Sequence, residues 1–395
     1  MTTRLGWLFQ PVSDRGHDNE KVLSVYRDHG VIPKDSRTDN FNRTPENLGN
    51  YQLVQPGDLV VNRMKAWQGS LGISEHQGIV SPDYEVLRPV VPTYDRRFVH
   101  SLLRSRALID QYALRSTGIR PSQWRLYWDE MKTIEVSLPA TEEQRAIADY
   151  LDRETARIDT LIEEQQRLIE LFRERRRAVA LHAINQPISS GAATDKLGRS
   201  AHIGNGSTPS RESTAYWDGG NIPWLNSSVV NEPRVTYAEQ FVTDEALREC
   251  HLPLVPPGSV LVGLTGQGKT RGTATILDIK ATVNQHIAYV TPDRSKWLPE
   301  YLLWLLRASY DELRRLSEEN GSTKGGLTCE AIKRFRLAAP SLDKQRQIAA
   351  FLDQQTAKID IMIAEAERFI ELARERRAAL ITAAVTGQID VREMA

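Results

Sequence analysis

The stretch GLTGQGKT, Gly263 to Thr270, fits the phosphate-loop pattern G-x-x-x-x-G-K-S/T letter for letter. In such a loop the backbone amides cradle phosphate oxygens, the lysine reaches the outer phosphates, and the start of a following helix completes the site. That chemistry needs a strand before the loop and a helix after it. GSVLVGL, from Gly258, has the apolar, β-branched character of a strand. The segment after Thr270 does not read as a helix: in RGTATILDIKATV, Thr273, Thr275 and Ile276 favour a second strand. Lys269, Thr270 and Arg271 are therefore expected on a hairpin loop, where they could reach a DNA groove. A phosphate-loop ATPase remains the less favoured alternative.

Other chemistry-bearing sets are sparse. Cys250 and Cys329 cannot build a disulfide framework or a cysteine zinc site, and no second Cys/His pair accompanies Cys250 and His251 at ligand spacing. His17, His76 and His286 are scattered, and no Ser/His/Asp or Cys/His set has a recognisable local motif. No metal, no bound cofactor and no catalytic residue is expected on this chain.

The elements that position these residues are written twice. LPATEEQRAIADYLDRETARIDTLIEEQQRLIELFRERRRA, from Leu138, aligns without a gap with APSLDKQRQIAAFLDQQTAKIDIMIAEAERFIELARERRAA, from Ala339, at an offset of 201. The repeat continues more weakly upstream, QPGDLVVNRM from Gln55 matching PPGSVLVGLT from Pro256, and RLGW at Arg4 matching KLGR at Lys196. The first copy of the glycine-loop region, GDLVVNRMKAWQGSLGIS, again reads strand, loop, strand, without the phosphate-loop letters. A role common to both copies cannot depend on letters present in one.

The repeated segments carry helical period. Ile158, Leu161, Gln165, Leu168, Phe172 and Val179 fall on alternating three- and four-residue steps, as do Ile359, Met362, Ala366, Phe369, Ala373 and Leu380. Such a seam asks for a partner helix, and the other copy is the nearest. Thr141 with Gln144 suggests a capping box for the first helix; the second is expected to begin at Ser341, with Asp343 in its first turn. A helix of about forty residues runs about 60 Å, longer than a small domain is wide. The arginine runs 173–177 and 374–377 read as solvated helix ends. The expected organisation is a globular domain over 1–138, a long helix over 139–186, a linker over 187–195, a second globular domain over 196–338, and a second long helix with tail over 339–391. The fold class is mixed α/β, with the two helices pairing as an antiparallel coiled coil.

The chain has 395 residues and no net formal charge, 40% of its residues are hydrophobic and 26% charged, as in an ordinary soluble protein. No apolar run is long enough for a membrane span, and the first residues, MTTRLGWLFQPV, lack a signal-peptide core. A reducing cytoplasm is expected.

Two unlike globular halves, each followed by the proline, glutamine-arginine, leucine-aspartate run, resemble the specificity subunit of type I restriction–modification systems over nearly the whole length. HIGNGSTPSRESTAYWDGGNIPWLNSSVV, His202 to Val230, resembles the opening of a target recognition domain of that family, and GIVSPDYEVLRP, Gly78 to Pro89, the middle of another. The first half departs by having FQPVSDRG in place of a GNGSTP segment. The resemblance implies two target recognition domains reading a split site in double-stranded DNA, with paired helices fixing their separation. It implies two methyltransferase subunits and restriction subunits as partners. S-adenosylmethionine, ATP and magnesium would belong to those partners. NEPR at Asn231 is no N/D-P-P-Y/F methyltransferase tetrapeptide. A coiled-coil adaptor that touches no DNA is the alternative.

Base edges are read in the major groove by Arg, Lys, Asn and Gln, phosphates by any donor or cation. Between Arg96 and Arg125 seven arginines meet one acid, Asp110. Arg120, Gln123 and Arg125 flank Trp124 in a glycine- and proline-containing loop. Asn62, Arg63 and Lys65 occupy the first-copy counterpart of the glycine loop. In the second half the candidates are Ser207 and Thr208 of GNGSTPS, Lys269, Thr270 and Arg271, and Lys324 of NGSTKGG. Trp217 and Trp224 read as core.

Overall fold

The computed structural model describes residues 2–37, 44–45, 47–90, 94–120, 123–189, 191–266, 268–319 and 326–391. The chain forms two compact units. The first is Met1–Arg167 with Glu367–Ala395, and the second is Leu168–Ala366.

In the first unit, Phe9–Val12, Tyr84–Pro89, Leu59–Asn62 and Leu71–Ile73 form an antiparallel sheet in that spatial order. Hairpin Leu23–Tyr26/Gly30–Pro33 and pair Gln52–Val54/Gly78–Val80 form two separate two-stranded antiparallel sheets. In the second unit, Ala201–Asn205, Ile287–Pro292, Val260–Gly263 and Ala274–Leu277 take the corresponding order, extended by Arg234–Val235. Trp224 lies in a small cluster with Val242 and Leu252, and Trp217 packs edge-on against it. The weak upstream repeat is thus a repeated strand order. Each copy also begins with a short strand paired to the one before its long helix, Thr2–Arg4 with Glu135–Ser137 and Thr194–Lys196 with Arg336–Ala338. The LG dipeptides next to these strands serve one purpose: a Cβ on Gly6 or Gly198 would stand 3.1 or 2.9 Å from the Cβ of Lys132 or Lys333.

The long helices run Thr141–Ser189 and Leu342–Val385. The linker read over 187–195 is therefore shorter. The helix continues through Pro187, close to its end, where little remains for a proline to disrupt, and a strand begins at Thr194. Ser341 caps the second helix, its Oγ accepting from the Lys344 N–H.

Each hydrophobic core takes up parts of both helices. The first gathers Leu5, Phe9, Leu59, Leu87, Phe98 and Tyr112 with Ile147, Ala148 and Leu151 of the first helix and Ala384 and Val385 of the second. The second gathers Val260, Val262, Ile276, Val290 and Tyr301 with Ile348, Ala349 and Leu352 of the second helix and Ala183 and Ile184 of the first. These are the same repeat positions, exchanged.

The repeated motif letters have structural roles. Gln144 does not close a capping box: its Oε1 accepts from the Asp95 N–H and its Nε2 donates to the Pro139 carbonyl. Gln345 accepts from the Leu298 N–H and donates to the Lys296 and Pro340 carbonyls. Both are buried, at 2% and 0% exposed. Asp152 accepts from Arg97, and its counterpart Asp353 from the Trp304 Nε1–H.

The seam is shifted in places. Ile158 and Ile359 are buried, but Leu161 and Phe369 are 38% and 42% exposed, while Ile162, Ile169 and Ile370 are buried instead. At 161–162, 168–169 and 369–370 two apolar residues stand side by side, so spacing alone does not say which faces inward. Leu168, Phe172, Val179, Met362 and Leu380 are half-buried. Arg377 Nε lies 2.9 Å from Asp159 in the first unit, and Arg176 Nη1 lies 2.7 Å from Asp360 in the second. Asp159 and Asp360 are counterparts, as are Arg176 and Arg377. These two arginines, read as part of solvated helix ends, tie one long helix to the other.

Candidate nucleic-acid interface

In the first unit two candidate loops come together. The loop after Leu59–Asn62 and the segment 117–126 are joined by the Leu126 N–H to the Arg63 carbonyl, at 2.9 Å. Trp67 and Trp124 pack edge-on, with centroids 5.3 Å apart. Thr117 and Arg125 exchange two backbone hydrogen bonds, closing the segment between them into a small loop. Arg120 and Gln123 are exposed on it, and Arg125 is half-buried. Lys65 is exposed on the neighbouring loop.

Two candidates are placed otherwise. Asn62 is only 8% exposed, and its Oδ1 accepts from the Met64 N–H. It shapes the turn. The Arg63 guanidinium donates to the Asp83 and Pro82 carbonyls and lies 3.7 Å from Glu85. It clamps the turn over 81–84 with two of its N–H groups and faces Glu85 with a third nitrogen.

Beside these loops is a cleft of about 580 Å³ whose lining includes Tyr26, Lys34, Lys65, Gln68 and Tyr84. Lys34 joins the basic groups here although nothing in its spacing singled it out; the turn after Gly30–Pro33 delivers it.

The arginine-rich stretch is mostly occupied. Arg97 meets Asp95, Asp149 and Asp152, and hydrogen bonding to Asp149 leads the causes that push its pKa up. Arg106 pairs with Asp110, and Arg115 donates to Gln111. Arg104 donates to the Arg27 carbonyl. Burial, then Arg377, lowers its pKa to about 10. Burial, then Arg104, lowers that of His100 to about 4. The run of positive letters is thus largely scaffold.

In the second unit the glycine loop is a hairpin. Val262 pairs with Ala274, the Gly263 N–H donates to the Thr273 carbonyl, and the Gly272 N–H donates back to Gly263. Antiparallel strands flank the loop, so it leads into a strand and not into a helix. Lys269 is exposed there and Thr270 half-buried. Arg271 is 8% exposed and so offers a groove little surface. Arg314 and Tyr310 donate to the Gly268 and Lys269 carbonyls, holding the hairpin from behind. Lys324 lies outside the described residues.

The GNGSTP segment lies against the turn 284–287. A Cβ on Gly206 would stand 1.7 Å from the Val283 carbonyl oxygen, so only glycine fits. Ser207 is committed to the Cys250 carbonyl. Thr208 is exposed and donates to Gln285 Oε1 at 2.7 Å. Gln285 Nε2 lies 3.3 Å from His286 Nε2, and His286 Nδ1 lies 3.1 Å from Thr265 Oγ1. Sequence reasoning passed over Gln285 and left His286 as an isolated histidine. An amide and an imidazole side by side, directly before the apolar run IAYV from Ile287, were the available signal.

Among the described residues no cluster of three or more His, Cys, Asp or Glu could hold a metal ion. Burial raises the thiol pKa of both Cys250 and Cys329. No described helix is long and apolar enough to cross a membrane.

Comparison with known proteins gives consistent matches. The model of the type I restriction modification DNA specificity domain matches residues 193–368. The chain is 22% identical over 173 residues to the EcoR124I/EcoR124II type I restriction enzyme specificity subunit of Escherichia coli, covering 43% of this chain and 42% of that one. It is 29% identical over 153 residues to the MjaIX type I restriction enzyme specificity subunit of Methanocaldococcus jannaschii, covering 38% of this chain and 34% of that one. The matched stretches thus span less than half of each relative. A chain from a structural study of complex assembly and conformational transition in the type I R-M system superposes with a TM-score of 0.68 at 18% identity, covering 98% of both. The HsdS subunit from Thermoanaerobacter tengcongensis gives 0.57 at 18% identity, covering 98% of this chain and 97% of that one. At such identity the structural likeness is one of fold.

Proposed function

We propose that this chain is the specificity subunit of a type I restriction–modification complex, a reading supported by the DNA specificity domain model that matches residues 193–368 and by the two specificity subunits that the chain resembles. Each unit carries a target recognition domain that reads one part of a split site in double-stranded DNA. The two long helices pair as an antiparallel coiled coil and form the spacer. Two methyltransferase subunits and the restriction subunits assemble on the chain in the cytoplasm. S-adenosylmethionine, ATP and magnesium act on those partners, and this chain performs no chemistry of its own.

One observation carries the reading: a duplicated scaffold whose buried clamps repeat while its exposed loops differ. Gln144 and Gln345 hold the same junction in both units, whereas Arg120 and Gln123 stand on one candidate surface and Thr208, Gln285 and Lys269 on the other. An adaptor needs no such divergence. The coiled-coil part is supported within each unit by the reciprocal pairs Asp159–Arg377 and Arg176–Asp360. A phosphate-loop ATPase is opposed by the hairpin at Gly263–Thr273.

The test is selection of bound DNA from a random pool by this chain together with its methyltransferase partners. Enrichment of a two-part motif with a fixed gap is expected. No enrichment would leave the adaptor reading in its place.

A further inference from the structure

The turn 284–287 has a side-chain network whose donor and acceptor directions can be worked through. The Thr208 hydroxyl donates to Gln285 Oε1. Gln285 Nε2 can only donate, so His286 Nε2 accepts from it. A neutral imidazole then carries its proton on Nδ1, which donates to Thr265 Oγ1. The backbone is held as well: Asn205 Nδ2 donates to the Gln285 carbonyl, and the buried Asn284 Oδ1 accepts from the His286 N–H.

An amide has two acceptor lone pairs and two N–H groups. Here one of each is used inside the network, and Gln285 is exposed. One lone pair and one N–H remain on an amide whose orientation the network already holds. That pair complements the N6 amino group and N7 of adenine in the major groove. Fixing the amide beforehand removes ordering cost from binding.

The first unit has the same turn with a different tip. The Tyr84 N–H donates to the Ser81 carbonyl, as the Ile287 N–H does to that of Asn284. Ser81 Oγ accepts from the Asp83 N–H, as Asn284 Oδ1 does from that of His286. The tip there is Pro82–Asp83, its carbonyls bound by Arg63, with no side-chain amide.

Resting on the function proposed above, we propose that Gln285 reads one adenine in the part of the DNA site bound by the second unit. Thr208 and His286 are its positioning residues.

The experiment compares motifs selected from a random duplex pool by the complete complex, this chain with its methyltransferase partners, carrying wild-type, Gln285→Ala or Gln285→Glu. Wild type should select a split motif containing an A·T pair that Gln285→Ala relaxes at that single position, by about 5-fold to about 150-fold. The other half of the motif should be unchanged. Gln285→Glu, an acceptor without a donor, should move the preference at that position toward cytosine. A motif unaltered by both variants overturns the assignment while leaving the specificity reading intact, as does relaxation at a position without an A·T pair. Loss of all selection by both variants, with melting unchanged, makes Gln285 a general affinity residue and also overturns it. If wild type selects no motif, the proposed function itself fails.

Discussion

In the first unit the turn 81–84 ends in Pro82 and Asp83, whose carbonyls are tied down by Arg63; in the second, the corresponding turn ends in Gln285 and His286, linked to Thr208 and Thr265. Beneath these unlike tips the strand order is shared, and Gln144 and Gln345 fill corresponding junctions. Duplication has kept the groups whose removal would strand buried polar atoms. It has let vary the exposed groups that touch nothing essential to folding. A further difference lies in the core: counted from the corresponding helix starts at Asp95 and Leu298, His100 of the first unit has the buried Leu303 as its counterpart, so one unit contains a titrating group where the other has an aliphatic side chain.

That comparison can be broken in four ways. The largest effect is expected at the repeated clamp. Gln345→Leu leaves the Leu298 N–H and the Lys296 and Pro340 carbonyls without their partner, at an expected cost on the order of 4 kcal/mol in urea unfolding. Gln144→Leu, which strands two groups, should cost somewhat less. A negligible cost for either would mean the shared glutamine is not structural.

Next comes the pH response. The His100 pKa is depressed from 6.5 to about 4, so the unfolded chain binds its proton first as pH falls. Stability contributed by the neutral ring is present above pH 6.5 and is lost as pH falls toward 4, on the order of 3 kcal/mol. Unit-resolved hydrogen-exchange protection should therefore weaken in the first unit over that window, and His100→Gln should flatten the change. Equal weakening of both units would remove the asymmetry.

A smaller effect belongs to exposed cations. Lys65→Ala and Lys269→Ala should each reduce the slope of log affinity against log salt by about 0.9 if each lysine neutralises one phosphate. Salt-dependent binding of the complete complex measures this, and an effect from one lysine alone would show that the two loops are not equivalent in use. Smallest of all are the ion pairs Asp159–Arg377 and Arg176–Asp360. Their side chains are 37–56% exposed, so a double-mutant cycle on either should return about 0.5 kcal/mol, and the same value for both.

The repeat, the two long helices and the hairpin at the glycine loop were legible because each rests on local pattern: a fixed offset, a helical period, β-branched residues after Thr270. Ser341 as a cap and the first-turn Asp343 were legible for the same reason. Gln144 misled because its partner, the Asp95 N–H, is distant in sequence, and a nearby threonine offered a simpler account. Leu161 and Phe369 misled because an apolar neighbour stood ready at 162 and 370 to take the inward position.

The candidate surface divided along the same line. Residue types placed Lys65, Arg120, Gln123, Thr208 and Lys269 on exposed or partly exposed loops, since charged and amide groups in turn-rich segments are costly to bury. Asn62, Arg63 and Arg271 look no different as letters, yet Asn62 and Arg271 are buried and Arg63 is bound to its own backbone.

The sequence by itself determined that this chain is a duplicated α/β protein with long helices, because periodicity and repetition are properties of order along the chain. Which arginines are scaffold, which apolar residues face the seam and which amide is held ready were decided by the tertiary structure. A side chain's availability depends on whether backbone groups from remote segments claim its donors and acceptors, and those neighbours exist once the chain has folded.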